Sequence, residues 1–179
     1  MTYQQIITFW FEETEPRQRF MKDLAFDRLL TERFSAIHKQ ASLCELYSWR
    51  ETIEGRLAEI IILDQFSRNI CRDLPQAFAS DALALALAQE ALSTGQHTKL
   101  PIEQRAFLYM PYMHSESKAI HEIAVTLFCE KGLENNLNFE MKHKAIIDRF
   151  GRYPHRNKVL GRISTPEEIE FLQQPNSGF

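Results

Sequence analysis

The sequence predicts an all-α protein with about seven to nine helices in a single domain over residues 1–179. Apolar side chains recur at three- and four-residue steps along most of the chain, and charged side chains lie between them. Glycine and proline punctuate these periodic segments. Because the connections are short, we expect successive helices to pack as antiparallel hairpins.

The first half of the chain contains four predicted helices. Thr2 caps a short helix that Pro16 terminates, and residues 23–40 have an apolar stripe that predicts an amphipathic helix. Residues 54–68 are apolar on nearly all sides, which predicts a central, buried helix. The run of alternating alanine and leucine at 82–88 predicts a helix over 75–93, since both residues are strong helix formers, and Gly95 ends it.

The second half predicts four more helices. Pro101 begins one that extends through Met110, and Pro111 is expected to kink or end it. Ser115 is the expected cap of a helix that reaches Lys131. A further helix runs from 133 to 150, where Gly151 stops it, and a cap, a proline and two acids at 165–168 begin a last helix that ends at Leu172.

Composition bounds the class of protein. The apolar fraction of 44% and the charged fraction of 25% are those of an ordinary globular domain. The N-terminus has no basic signal-peptide region, and no apolar run is long enough to span a bilayer. The three cysteines are far apart, which is typical of free thiols in a reducing compartment. We therefore expect a cytoplasmic protein that has no membrane partner.

The segment 149–162 is the most distinctive part of the chain. It contains four arginines, Lys158 and His155, no acid, and glycine and proline at bends. Guanidinium groups on a shaped loop suit carboxylate or phosphate recognition. The remaining chain has 16 cations against 24 acids, so the surface as a whole argues against nucleic-acid binding.

Several polar residues fall on predicted core faces. Glu116 extends the apolar stripe of the helix after Ser115, His143 lies within that of the next helix, and Asp64 precedes Arg68 by four residues, so the two can pair. Buried charge needs a partner. Two interpretations remain open: a structural polar network with the basic loop, or a ligand site. The site would bind an anion through the residues Asp64, Arg68, Asn69, Arg149, Arg152, Arg156 and Asn157, with proton transfer by Glu116, His114, His143 or His155.

Other chemistries have less support. His114, Glu116, His143 and His155 are conceivable metal ligands, but HExxH, paired histidines and cysteine clusters are missing, so we predict no metal. No nucleophile elbow, Walker motif or dinucleotide glycine motif is present, so we predict no cofactor. The sequence leaves open whether the chain is an enzyme.

Six blocks of the chain resemble a family of bacterial proteins of unknown function, DUF924. They are ITFWFEE, Phe26-Asp27, GRLAEIIILDQFSRNI, AFASDALALALA, YMPYMHSES and HKAIIDRFGRYPHRNKVLGRISTPEEIEFL, and Ser67 stands where the family form has proline. The resemblance implies a right-handed, tetratricopeptide-like array of helical hairpins and no established activity. The family's recurrent polar positions correspond here to Asp64, Gln65, Arg68, Asn69, His114, Ser115, Glu116, Arg149, Arg152, His155, Arg156 and Asn157.

Two functions compete. The first is a site for a small carboxylate- or phosphate-bearing molecule, with or without acid–base chemistry. The second is a protein-interaction module that binds a peptide or a C-terminal carboxylate on a concave helical surface. We prefer the first, because the polar signature is concentrated near one segment.

Overall fold

The computed structural model describes residues 1–175, 177 and 178, and this part of the chain is helical, with turns and no strand. The α-helices, in chain order, are α1 Tyr3–Thr8, α2 Leu24–Ser42, α3 Ile53–Ile61, α4 Ser67–Ile70, α5 Asp81–Ser93, α6 Ile102–Met113, α7 Lys118–Phe128, α8 Glu134–Phe150 and α9 Pro166–Leu172. A π-helical turn, Ile62–Phe66, joins α3 and α4 into one continuous helical segment. The all-α prediction is confirmed, while the tetratricopeptide-like arrangement stays a prediction.

Capping residues explain several helix ends. The Asp23 carboxylate accepts hydrogen bonds from the backbone N–H groups of Ala25 and Phe26 at the start of α2. Thr165 and Glu168 form a reciprocal capping box at the start of α9. Gly151 ends α8 with φ of +71°, a left-handed conformation that suits glycine.

Several predicted boundaries were wrong, and the helix predicted to reach Lys131 ends at Phe128. The helix predicted from residue 75 begins at Asp81, because Pro75–Ala77 forms a separate 3-10 turn. The helix predicted through Met110 continues to Met113, so Pro111 lies inside α6 and does not end it. The cap of α7 is Ser117 and not Ser115, so Glu116 lies in the preceding turn and not on the face of α7.

The contacts group the residues into two compact units: unit 1 contains Met1–Arg72 and Gln76–Pro111, and unit 2 contains Asp73–Pro75 and the chain from Tyr112 onward. The single domain predicted for residues 1–179 remains a prediction. Among the described residues, no helix combines the length and the apolar character that crossing a bilayer requires.

Unit 1 has an aromatic core. The ring centroids of Phe9 and Phe34 are 4.6 Å apart, those of Phe34 and Phe66 are 5.0 Å apart, and those of Trp10 and Phe107 are 5.7 Å apart. Phe66 belongs to the segment predicted to be central and buried, and α3 is indeed largely buried. Such rings contribute both buried area and favourable edge contacts.

Unit 2 has a smaller core. Helices α7 and α8 pack against each other. Ile146, Ile147 and Tyr153 form a buried cluster against which Phe150 and Phe171 pack. Tyr153 comes from the basic loop and is fully buried, so the loop is part of the core of unit 2.

Candidate functional site

The predicted site residues are divided between the two units. Asp64, Arg68 and Asn69 belong to unit 1. The remaining predicted residues belong to unit 2: His114, Glu116, His143, Arg149, Arg152, His155, Arg156 and Asn157.

In unit 1 the predicted residues take part in a network of charge pairs. The predicted pair of Asp64 and Arg68 is present, with 3.0 Å between carboxylate and guanidinium. Arg68 also donates two hydrogen bonds of 3.0 Å to the carboxylate of Asp81. The Asn69 amide donates to the Gln65 carbonyl, and its oxygen accepts from Arg72. These contacts match the structural interpretation, because each named polar group meets another from the same unit.

Asp64 and Gln65 lie in the π-helical turn Ile62–Phe66. The Gln65 amide donates to Asp64 over 2.5 Å and contacts the sulfur of Met110. The following Ser67 hydroxyl donates to the Leu63 carbonyl. A π turn inserts one residue into a helix and is frequent at functional sites.

In unit 2, two arginines of the basic loop pair with α9. Arg152 donates two hydrogen bonds, of 2.7 and 2.8 Å, to the buried carboxylate of Glu168. These bonds, with help from the Thr165 N–H, lower the pKa of Glu168 to about 2 although burial opposes the shift. Arg149 makes an exposed pair with Glu167 at 2.9 Å. Both arginines were predicted to bind a ligand, but here they bind carboxylates of the chain.

Glu116 is held by the loop residue Arg162. The Arg162 guanidinium donates to both Glu116 oxygens, at 2.6 and 2.9 Å, and the Tyr153 N–H donates to Glu116 at 2.7 Å. Burial tends to raise the pKa of Glu116, but these hydrogen bonds outweigh burial and the pKa is lowered. Glu116 is therefore an ionised carboxylate that fixes the loop.

The buried ring of Tyr153 is the centre of a cluster of nitrogen-bearing side chains. The guanidinium carbon of Arg156 lies 4.4 Å from the ring centroid. The imidazole centroids of His155, His143 and His121 lie 5.4, 5.7 and 6.3 Å away. The ring of His114 lies 6.4 Å from that of His143. We name the residues His114, His143, Tyr153, His155 and Arg156 the Tyr153 cluster.

Asn157 links the loop internally. Its amide donates to the Ser164 hydroxyl and to Glu168, and its oxygen accepts from Arg162. Because Asn157 is almost fully buried, it supports the loop and does not face solvent.

His143 is buried and uncharged. Its Nδ1–H donates to the Phe139 carbonyl at 2.8 Å. Burial lowers the pKa of His143 to about 3, the backbone hydrogen bond opposes this, and the charges of His114, His121 and Arg156 add to it. A base this weak carries few protons at neutral pH.

Acid should destabilise the chain through His143. The unfolded chain takes up a proton near pH 6.5 but folded His143 does so only near 3, so this contribution to stability is present above 6.5 and is lost as the pH falls. We expect the free energy of unfolding to drop by about 2 kcal/mol more between pH 7 and 5 in the wild type than in His143→Asn. Urea unfolding at both pH values measures it, and equal losses in the two proteins would contradict it.

Sequence reasoning gave no role to His121 or Glu140. Both are fully buried, and the His121 Nδ1 lies 2.6 Å from the Glu140 carboxylate. Helical spacing could have identified both residues. His121 precedes the buried residues Ala124 and Phe128 by three and seven positions. Glu140 precedes the buried residues His143 and Ile147 by three and seven positions. These spacings place both residues on buried helix faces.

Two further features bear on ligands. Within residues 1–175, 177 and 178, no group of three or more histidine, cysteine or acidic side chains is arranged to hold a metal ion. A surface cleft of about 400 Å³ in unit 1 is lined by Glu15, Arg17, Gln18, Met21 and Asp23. None of the predicted site residues lines that cleft.

The fold and the polar clusters define an all-helical protein with arginine–carboxylate pairs in both units. The chain belongs to the family described as "Bacterial protein of unknown function (DUF924)", whose model matches residues 6–176. The chain is also similar to a solved structure titled "Structure of Protein of Unknown Function ATU0120 from Agrobacterium tumefaciens", with 37% identity, 97% of each chain covered and a TM-score of 0.91. No curated protein matches it.

Proposed function

We propose that unit 2 binds a small carboxylate- or phosphate-bearing molecule at the Tyr153 cluster. The observation that carries the proposal is the convergence of Arg156, His143 and His155 on the ring of Tyr153, with His114 beside His143. Arg156 is only 6% exposed, and a buried guanidinium keeps its charge, so it attracts an anion strongly in such surroundings. His114 and His155 are partly exposed, which gives an incoming ligand access to the cluster.

The other arginines narrow the choice of residues. Arg149, Arg152 and Arg162 each bind a carboxylate of the chain, namely Glu167, Glu168 and Glu116. Binding a ligand at those positions would require breaking these pairs. We assign the ligand to Arg156 and the histidines because Arg156 is buried against the Tyr153 ring, and we assign the three pairs to support of the loop.

The chemistry favours binding over acid–base catalysis by Glu116 or His143. Arg162 holds Glu116 in the ionised form, with a lowered pKa, and burial keeps His143 a very weak base. General acids and bases work best with a pKa near the operating pH. If the site performs proton transfer, His114 and His155 are the residues that we propose for it.

We also propose a cytoplasmic location and a tetratricopeptide-like array of helical hairpins. Cys44, Cys71 and Cys129 are free thiols, which supports the cytoplasm as the compartment. The packing of α7 against α8 supports a hairpin of the tetratricopeptide-like kind in unit 2.

Thermal unfolding against inorganic phosphate, succinate and citrate tests the site. A compound present at about 100 times its dissociation constant should stabilise the wild type by roughly 2.7 kcal/mol, a rise in melting temperature of several degrees. Arg156→Gln should abolish the rise. Arg149→Gln is the matched control, because it removes an exposed arginine of the same basic segment, in the last turn of α8, and it should keep the rise.

The outcomes separate the candidate functions. No rise with any of the three anions, or an equal rise in Arg156→Gln, would overturn the proposal. Stabilisation by peptides with a free C-terminal carboxylate, but not by the small anions, would instead indicate the interaction module.

A further inference from the structure

Beneath the Tyr153 cluster, two fully buried titratable groups form a pair that the proposed ligand site does not use. The Nδ1 atom of His121 on α7 lies 2.6 Å from Oε1 of Glu140 on α8. Among the described residues, no hydrogen-bond partner reaches the second carboxylate oxygen of Glu140. The imidazole is therefore the hydrogen-bonding partner of this carboxylate. A buried carboxylate with so few partners is costly unless a proton or a cation accompanies it.

Both ring nitrogens of His121 face acceptors. Its Nε2 lies 2.9 Å from the Ser115 carbonyl and 3.3 Å from the Tyr153 hydroxyl oxygen. The Tyr153 hydroxyl donates its own proton to the Met113 carbonyl at 2.5 Å, so it is an acceptor toward His121. Nε2 must then carry a proton, and a second proton must lie between Nδ1 and Oε1.

We propose that His121 and Glu140 share a proton that the folded chain retains at neutral pH, and that this pair positions the turn before α7. The pair then has two protons and no net charge, which suits its complete burial. Burial also raises the pKa of Glu140, although the hydrogen bond and charge of His121 and the charge of Lys144 oppose the shift. His121 is thus a positioning residue.

The positioned turn contains His114 of the proposed site and Glu116, whose pair with Arg162 supports the loop. His121 holds the carbonyl of Ser115, which lies between them, and Tyr153 holds the turn through the Met113 carbonyl and through Glu116. With the shared proton removed, Nδ1–H would bond to the carboxylate, and the lone pair of Nε2 would face the Ser115 carbonyl. Two acceptors at 2.9 Å repel each other, so the turn would shift.

Other charged or titratable groups surround the pair. His143 and Lys144 lie on α8 with Glu140, Asp148 follows them one turn later, and Tyr153 comes from the loop. Lys144 is engaged by Glu122 and Asp148, and His143 is uncharged. These neighbouring groups therefore do not compete for the proton, which stays between His121 and Glu140.

A nitrogen spectrum of histidine-labelled wild-type protein at pH 7, without any ligand, tests the proton count. His121 should show a protonated Nε2. His143 is the internal control, because its Nδ1–H donates to Phe139 and its Nε2 should be bare. A bare Nε2 on His121 would overturn the proposal.

Amide hydrogen exchange tests the positioning. The Tyr153 N–H, which donates to Glu116, should exchange about tenfold faster in Glu140→Gln, because the variant lacks the charge-assisted bond to His121. The amides of Ile60 and Ile61 in unit 1 should not change. Glu134→Gln, which removes a charge from the exposed start of α8, is the control and should behave as the wild type. Unchanged exchange in Glu140→Gln would sink the positioning role.

If Glu140→Gln does not fold, the wild-type protein provides the test of the positioning role. Across the accessible pH range, the protection of the Tyr153 amide, corrected for intrinsic exchange, should follow the protonation of His121. Protection that is lost while His121 keeps its proton, or that persists after the proton leaves, would overturn the positioning role. Neither measurement uses an anion, so its failure is distinct from a failure of the proposed ligand site.

Discussion

Replacing Glu168 with glutamine is expected to lower the free energy of unfolding by about 3 kcal/mol at pH 7, as measured by urea unfolding. The carboxylate is 2% exposed and accepts two hydrogen bonds from Arg152, one from Asn157 and one from the Thr165 N–H. Glutamine keeps the shape of the side chain but lacks the charge and one acceptor. Arg152 would then lose one of its two hydrogen bonds to this side chain and the opposite charge that it pairs with.

Glu167→Gln is the matched control for this change. Glu167 is the preceding residue on the same helix, and its pair with Arg149 is exposed, so its loss should cost less than about 1 kcal/mol. The difference between wild type and Glu168→Gln should also depend on pH. Because the folded pKa of about 2 is below the ordinary value of 4.5, the advantage of Glu168 is complete above 4.5 and is lost as the pH falls toward 2. Equal effects of the two variants would contradict a buried pair.

Replacing Tyr153 with alanine is expected to be the most damaging change in unit 2, with a loss of about 3–5 kcal/mol. The ring is fully buried, packs with Ile146 and Ile147, and supports Arg156. Urea unfolding followed by hydrogen exchange in α8 measures the loss where it should occur. The stabilising effect of anions should vanish as well, because the wall of the proposed site is removed.

Tyr153→Phe separates the ring from its hydroxyl. The phenylalanine keeps the packing but leaves the buried Met113 carbonyl without its 2.5 Å hydrogen bond, which should cost about 1–2 kcal/mol. Its ring still supports Arg156, so the response to anions should be retained. A cost of Tyr153→Ala no larger than that of Tyr153→Phe would mean that the ring does not hold unit 2 together.

The four arginines of the segment 149–162 have different structural roles. All four lie within fourteen residues, yet Arg149, Arg152 and Arg162 meet acids from the turn before α7 and from α9, whereas Arg156 folds over Tyr153. The ion pairs of Arg149, Arg152 and Arg162 therefore hold this segment rigid. A preorganised loop of this kind loses little entropy on binding a ligand.

Helical spacing explains which polar residues were predicted correctly. Asp64 and Arg68, four positions apart, do pair, and His143 lies within its apolar stripe and is buried. The extension of the same logic from α7 to Glu116 was wrong, because Ser117 caps α7 and leaves Glu116 in a turn. Helical periodicity predicts side-chain positions only within a helix. Ser115 and Glu116 precede the cap of α7, so their positions depend on local hydrogen bonds instead.

By itself, the sequence determined the all-α class, most helix positions and the presence of a dense basic loop, since these depend on propensity and spacing within short segments. It did not determine which acid each arginine meets. The pairing of Arg162 with Glu116 and that of His121 with Glu140 join residues 46 and 19 positions apart. Only the tertiary structure brings such groups together, because burial and packing, rather than sequence distance, set the electrostatic environment of each charge.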